Sequence, residues 1–213
     1  NNAINLAGSF YGTLILDSGD TLISSSTSNL FIAKMDTSGH FVWGKYIDTD
    51  LVEDFGVNVY TSSKGILYMV AEIGDTAVFD NYTLGPGGCL LKFDTDGNCL
   101  FARNLYNDPS HSSVRINFDS NEMVLSGNYQ STNFNLDTAT LFSNGGRSFF
   151  LAKADTNANI SWIKEFGNGT VAFIGGVDLD QYGDIYFDGG FQNNITFNTT
   201  TLTNTGSDLF IAK

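Results

Sequence analysis

Short runs rich in β-branched and aromatic residues recur along the chain, separated by clusters of Gly, Asn, Asp and Ser, and no helical period lies between them. The clearest run is Ser28 to Tyr46, "SNLFIAKMDTSGHFVWGKY". It returns as "GGCLLKFDTDGNCLFARN" from Gly87 and as "SFFLAKADTNANISWIKE" from Ser148, and its first half closes the sequence as "SDLFIAK", Ser207 to Lys213. The lysines Lys34, Lys92, Lys153 and Lys213 mark a period of about 60 residues, the signature of a repeat architecture.

Each period reads as four strands, a to d. In the second repeat these are Gly56 to Ser62, Ile66 to Ile73, Cys89 to Asp94 and Cys99 to Leu105. The third repeat matches with "VRINFDS", "EMVLSGNY", "SFFLAKAD" and "ISWIKEF"; the fourth supplies a, b and c, and the first begins at b with "AINLAGSF". The pattern predicts an all-β fold, a β-propeller-type array of four-stranded antiparallel blades forming an incomplete ring, with a linear β-solenoid of the same units as the alternative. The blades fall at 55–105 and 113–166, with partial blades at 1–47 (strands b, c, d) and 172–213 (strands a, b, c). Because the end pieces overlap, with b and c supplied twice, they cannot merge into one blade. The expectation is a segment of a longer chain, with further blades of that chain or a partner covering its ends.

Runs such as "NLFIAK" and "ILYMVA" are apolar at successive positions, as strands buried on both faces require. Two aromatic-rich columns, Trp43, Phe101 and Trp162, and Phe10, Ile73, Tyr129 and Phe191, are predicted to pack between blades. Stacking on a carbohydrate is the alternative for any exposed member. The a–b and c–d turns are short and carry Asp, Asn or Gly. The b–c connections (74–88, 130–147 and 192–207) and the d–a crossovers (48–55, 106–113 and 167–172) are long and dissimilar. In a meander they emerge on one face, which is the predicted site for a protein or glycan ligand.

With 42% hydrophobic residues, 18 Phe and 9 Tyr, the chain has the material for a core. A net charge of −13 argues against nucleic acid as a partner, and no apolar run is long enough for membrane insertion. Solubility is the simpler reading of the acidity and divalent-cation binding the sharper one. "DTDGN" (94–98) and "DLDQYGD" (178–184) share part of a calcium loop's spacing, but both lack its full ligand pattern and sit where hairpin turns are expected. The crossover "DTDLVED" differs: Asp48, Asp50, Glu53 and Asp54 gather on the long-loop face with no counterpart in other repeats. It is the candidate metal site, for Ca2+, against the plainer reading of a solvated acidic loop; no other cofactor is indicated.

Of the 10 basic residues, most fall in two columns: Lys34, Lys92, Lys153 and Lys213, then Lys45, Arg103 and Lys164. A cation ring for an anionic ligand is one reading; pairing with Asp36, Asp94, Asp155 or crossover acids is favoured by the recurrence. Cys89 and Cys99 flank the turn at Asp94 to Gly97. A hairpin there sets Cys99 opposite Lys92 or Phe93 and Cys89 opposite Ala102 or Arg103, beyond disulfide reach at about 3.3 Å per residue. Both read as core thiols. With His40 and His111 as the only histidines and no G-x-S-x-G, H-E-x-x-H or Cys-x-x-Cys motif, no catalytic residue is identified.

The phrases "DLFIAK", "DTSGHFVWGK", "GDIYFDGGF" and "ITFNTTTLTNTGSDLFIAK" resemble the β-propeller repeats called SBBP repeats, common in large secreted proteins of Bacteroidota and related bacteria. Departures are Cys89 and Phe101 in the second repeat and "DTNAN", without its turn glycine, in the third. The resemblance implies export, often through type IX secretion machinery, and an extracellular or cell-surface location; it carries no catalytic residue. The function expected is therefore non-catalytic binding, display or adhesion. The alternatives are a polysaccharide-processing enzyme using an Asp/Glu pair and a structural spacer.

Overall fold

The computed structural model describes residues 3–24, 28–51, 57–106, 114–118, 122–130, 132–167 and 171–213. Its regular structure is all β and its sheets are antiparallel. The chain divides into two compact units, Asn1–Pro109 and Ser110–Lys213.

The first unit contains β1 (Ala3–Phe10), β2 (Thr13–Ile15), β3 (Thr21–Ile23), β4 (Ser28–Asp36), β5 (Phe41–Leu51), β6 (Asn58–Thr61), β7 (Leu67–Ile73), β8 (Ala77–Phe79), β9 (Tyr82–Leu84), β10 (Gly87–Phe93) and β11 (Cys99–Asn104). One sheet has the order β1-β4-β5-β8-β9, the other β11-β10-β7-β6. The second unit contains β12 (Val114–Phe118), β13 (Glu122–Tyr129), β14 (Phe134–Leu136), β15 (Ala139–Leu141), β16 (Ser148–Asp155), β17 (Ile160–Phe166), β18 (Ala172–Leu179), β19 (Ile185–Phe197) and β20 (Thr200–Ala212). Its sheets run β12-β13-β16-β17 and β18-β19-β20. Strands b and c are therefore the inner pair wherever four strands are present, which is why their sequences are apolar at successive positions. Every residue of β7 is buried, and so are Leu30, Ile32 and Ala33 of β4.

In the first unit the two sheets share a core of Leu30, Ile32, Ile47, Met69, Ile73 and Phe93 with their neighbours. In the second unit Val124, Phe149 and Leu151 meet Ile174, Phe187, Phe191 and Phe210. The column Phe10, Ile73, Tyr129 and Phe191 is buried throughout. The other column is not uniform: Trp43 and Phe101 are half-buried, and Trp162 is 36% exposed.

The b–c connections correct the sequence reading. They are ordered hairpins rather than dissimilar loops. β2–β3 and β14–β15 are separate two-strand units, β8–β9 joins the edge of the β1-β4-β5 sheet, and in the fourth repeat the same hairpin continues from β19 into β20. Each supplies core: Leu16 and Leu22, then Ala77, Phe79 and Leu84, then Phe134, Leu136 and Leu141, then Ile195. Three of the turns place a polar residue in the left-handed region, Asp80 (φ 49°), Asp137 (φ 53°) and Asn198 (φ 51°), which short polar side chains tolerate better than others.

The c–d hairpins share a bulge. Lys34 faces Trp43 while Met35 faces Phe41, so Val42 is extra; Leu100 and Ser161 are extra in the same way. This moves the cysteine register. Cys99 lies opposite Phe93 as read from the sequence, but Cys89 lies opposite Asn104, not Ala102 or Arg103, because the bulge inserts Leu100 between them. Both thiols are free. Burial pushes the Cys89 thiol up to about 12, and Cys99 is half-buried.

Candidate functional site

The acidic crossover is only partly within the described residues. Asp48 lies on β5, where its backbone pairs with Val78 and its Oδ1 accepts a hydrogen bond from Asn29 Nδ2 at 2.9 Å. Asp50 belongs to the same strand. Glu53 and Asp54 lie outside the described residues. Among the described residues no group of three His, Cys, Asp or Glu side chains is placed to hold a metal ion.

The two calcium-like stretches are hairpin turns whose aspartates bind their own backbone. Asp94 Oδ1 accepts from the amides of Asp96 (2.9 Å) and Asn98 (2.8 Å), and its Oδ2 accepts from Asn98 Nδ2. Asp36, Asp155 and Asp180 repeat the two amide contacts. The cost of closing the turn is met by a carboxylate at its first position. The Asn98 side chain, with the backbone amides, holds the Asp94 carboxyl below the usual carboxylate range.

Two lysines of the column bridge to carboxylates other than the turn aspartates. Lys153 bridges to Glu122 (2.6 Å) and Lys213 to Asp184 (2.7 Å), acids that stand where strand b begins. Ala3 and Ile66 occupy that position in the first two repeats, and there the lysine finds something else. Lys34 Nζ donates to the Thr95 carbonyl at 2.8 Å, and Lys92 lies 5.5 Å from the centre of the Tyr68 ring.

Trp43 and Trp162 mark the same place in the two units, with different surroundings. Trp43 Nε1 donates to the same Thr95 carbonyl at 3.3 Å, and Gly97 lies against the indole ring. The recess there, about 250 Å³, also takes Asn5, Thr61 and Lys64 into its wall. Around Trp162 the second unit has a larger cleft, about 460 Å³. Phe166, Phe187 and Phe197 give it apolar lining, and Lys164, Asp184 and Asn198 are among its polar wall residues. Sequence alignment of the repeats finds the Trp column, but not the cleft beside Trp162.

His40 Nδ1 lies 2.8 Å from Asp17 Oδ2, and Asp17 Oδ1 accepts from the Phe41 amide at 2.7 Å. The pair is exposed and ties the turn of the β2–β3 hairpin to the start of β5. Its hydrogen bond to Asp17 raises the His40 pKa. His111 lies outside the described residues. No protein-family model matches this chain, and no curated protein matches it.

Proposed function

We propose that this chain is a non-catalytic, glycan-binding module of SBBP-type β-propeller repeats, displayed outside a bacterial cell. Support for the propeller comes from the two four-stranded antiparallel meanders, β6-β7-β10-β11 and β12-β13-β16-β17, whose inner strands are apolar on both faces. Export and cell-surface display rest on the resemblance of the repeat phrases to that family.

The observation that carries the binding reading is the Trp162 cleft. An indole 36% exposed beside an apolar floor, with amide, ammonium and carboxylate groups around it, suits a sugar ring that presents one apolar face and an edge of hydroxyls. The same lining weighs against hydrolysis. Glycosidic cleavage takes two carboxyl groups, about 5–9.5 Å apart across the bond. Among the described residues that line this cleft Asp184 is the one carboxylate, and it is ion-paired with Lys213.

A glycan array probed with the labelled chain tests the reading. Binding that is lost in Trp162→Ala and kept in Trp43→Ala supports it, since the Trp43 indole is already occupied by Thr95 and Gly97. An array with no bound glycan, or binding indifferent to Trp162, counts against it.

A further inference from the structure

Two carboxylates of the repeat pattern are replaced close to Lys34. In the third repeat Lys153 Nζ lies 2.6 Å from Glu122 Oε2, and Glu122 opens strand b opposite Asp155. Ala3 holds that register position in the first repeat, opposite Asp36, so a methyl group takes the place of the carboxylate. The second replacement is in a turn. Asp36, Asp94, Asp155 and Asp180 each accept two backbone amides through one carboxylate oxygen. The a–b turn of the second repeat has Ser62 at that place, where its hydroxyl accepts from the Ile66 amide at 3.1 Å.

Ala3 and Ser62 line the same recess, the space of about 250 Å³ between the β1-β4-β5 face and the turns of the second repeat. Two lysines line it with them, Lys34 from strand c and Lys64 from the Ser62 turn. Lys34 is half-buried, and its Nζ donates to the Thr95 carbonyl at 2.8 Å, which takes one of the three ammonium protons. Asp94 is the one carboxylate among the described residues that line the recess, and it binds the Asp96 and Asn98 amides of its own turn. The chain has 23 acidic residues against 10 basic ones, yet this recess carries more ammonium than carboxylate. Partial enclosure strengthens the pull of those ammonium groups on an anion, because less water screens them.

We propose that the recess binds a sugar acid, with the ligand's carboxylate on Lys34 as the Glu122 carboxylate is on Lys153. Lys64 adds positive charge to the wall, and charge-assisted hydrogen bonds of this kind are the strong ones. Thr61, Ser62 and Ser63 offer hydroxyl partners to the hydroxyl groups of the sugar. Asn5 Nδ2 donates to Thr61 Oγ1 at 2.7 Å and so orients one of them. The volume is below the about 300–1,000 Å³ of a drug-sized pocket and suits one sugar unit. The site belongs to the first unit, and the proposal does not rest on the Trp162 cleft.

NMR titration of the full chain carrying Trp162→Phe tests this at neutral pH. Its remaining indole is Trp43, whose Nε1–H donates to the Thr95 carbonyl in the wall of the recess at 3.3 Å. Glucuronate shifts that indole signal saturably, and added sodium chloride weakens the binding. Glucose lacks the charge and acetate lacks the hydroxyl groups, and each binds at least tenfold more weakly. Ala3→Glu and Lys34→Gln each lower the affinity for glucuronate at least tenfold, the first by giving Lys34 the internal partner that Lys153 has. A disaccharide ending in glucuronate separates the two sources of the group: binding as tight as the free acid's supports the site with a glycan terminus as its ligand, and binding of the free acid alone supports it with a soluble sugar acid. An indole signal that glucuronate does not move overturns the proposal, and so does acetate or glucose binding as tightly as glucuronate. A shift that survives both substitutions overturns it too. The comparison of glucuronate with glucose and acetate needs no change in the recess, so it decides the matter even where a substitution unfolds the chain.

Discussion

The Glu165 carboxylate accepts a hydrogen bond from the Tyr129 hydroxyl at 3.0 Å, and the same oxygen accepts from the Phe142 amide at 3.1 Å. Phe142 immediately follows β15, so strand d holds the returning arm of the hairpin. Asn104 does the same in the second repeat, accepting from the Gly85 amide (2.9 Å) and donating to the Gly85 carbonyl (2.8 Å). Glu165→Ala or Asn104→Ala is predicted to cost about 1–2 kcal/mol, measured by urea denaturation. A change near zero would mean that the hairpins dock by their apolar residues alone.

Tyr129 is buried, and that burial, with the Glu165 charge, raises its pKa. The neutral phenol is therefore favoured in the folded state. The stability this contributes is complete below the unfolded value of about 10 and is lost as pH rises toward the folded value. Spectrophotometric titration is predicted to show a tyrosine that resists ionisation until the protein unfolds, and Glu165→Gln should lower its pKa.

The two members of the His40–Asp17 pair shift in opposite directions, His40 upward and Asp17 downward. His40 is raised, so its contribution is complete below about 6.5 and lost as pH climbs through the folded value. Asp17, lowered chiefly by its hydrogen bond to His40, contributes above about 3.9 and loses that contribution as pH falls through its depressed value. NMR titration should place the His40 pKa above 6.5 in the wild type and return it toward 6.5 in Asp17→Asn. Unchanged titration in that variant would contradict the pairing.

Gly39 and Gly97 close equivalent c–d turns at φ 88° and 81°, but only Gly97 has a neighbour. An added methyl at Gly97 would lie 2.8 Å from the Trp43 ring, while one at Gly39 meets nothing within 4 Å. Gly39→Ala should cost about 1–2 kcal/mol of backbone strain. Gly97→Ala should cost about 1–3 kcal/mol more through displacement of the indole. Equal losses in thermal or urea unfolding would show that the Trp43 contact is slack.

Strands a to d were legible because they are long, apolar and spaced by a fixed period. The hairpins inside the b–c connections were not, since strands of only three residues are too short to show a period of their own. Their signal was nevertheless present: "AVFDNYTL", "FNLDTATL" and "ITFNTTTL" share two apolar residues one apart, an Asp or Asn, and a Leu. The shared bulge at Val42, Leu100 and Ser161 leaves no mark in composition, and the cysteine register shifted by one residue with it. Lys153 and Lys213 do pair with carboxylates, but with Glu122 and Asp184 at the start of strand b, which lie far from them in sequence and come beside them only through the pairing of strands b and c. The Trp column was visible from the alignment of repeats. The cleft beside Trp162 brings Phe166 of β17 together with Phe187 and Phe197 of β19, a tertiary fact that no single repeat encodes.

The central claim is recognition of a glycan at the Trp162 cleft without turnover. The most direct measurement incubates the wild-type chain with the oligosaccharide bound most strongly on the array, following indole fluorescence during titration and oligosaccharide mass over a prolonged incubation. The account predicts a saturable fluorescence change that is absent in Trp162→Ala, with every sugar mass unchanged. Shortened products that vanish with a single Asp or Glu substitution, or a fluorescence change that survives Trp162→Ala, would contradict it.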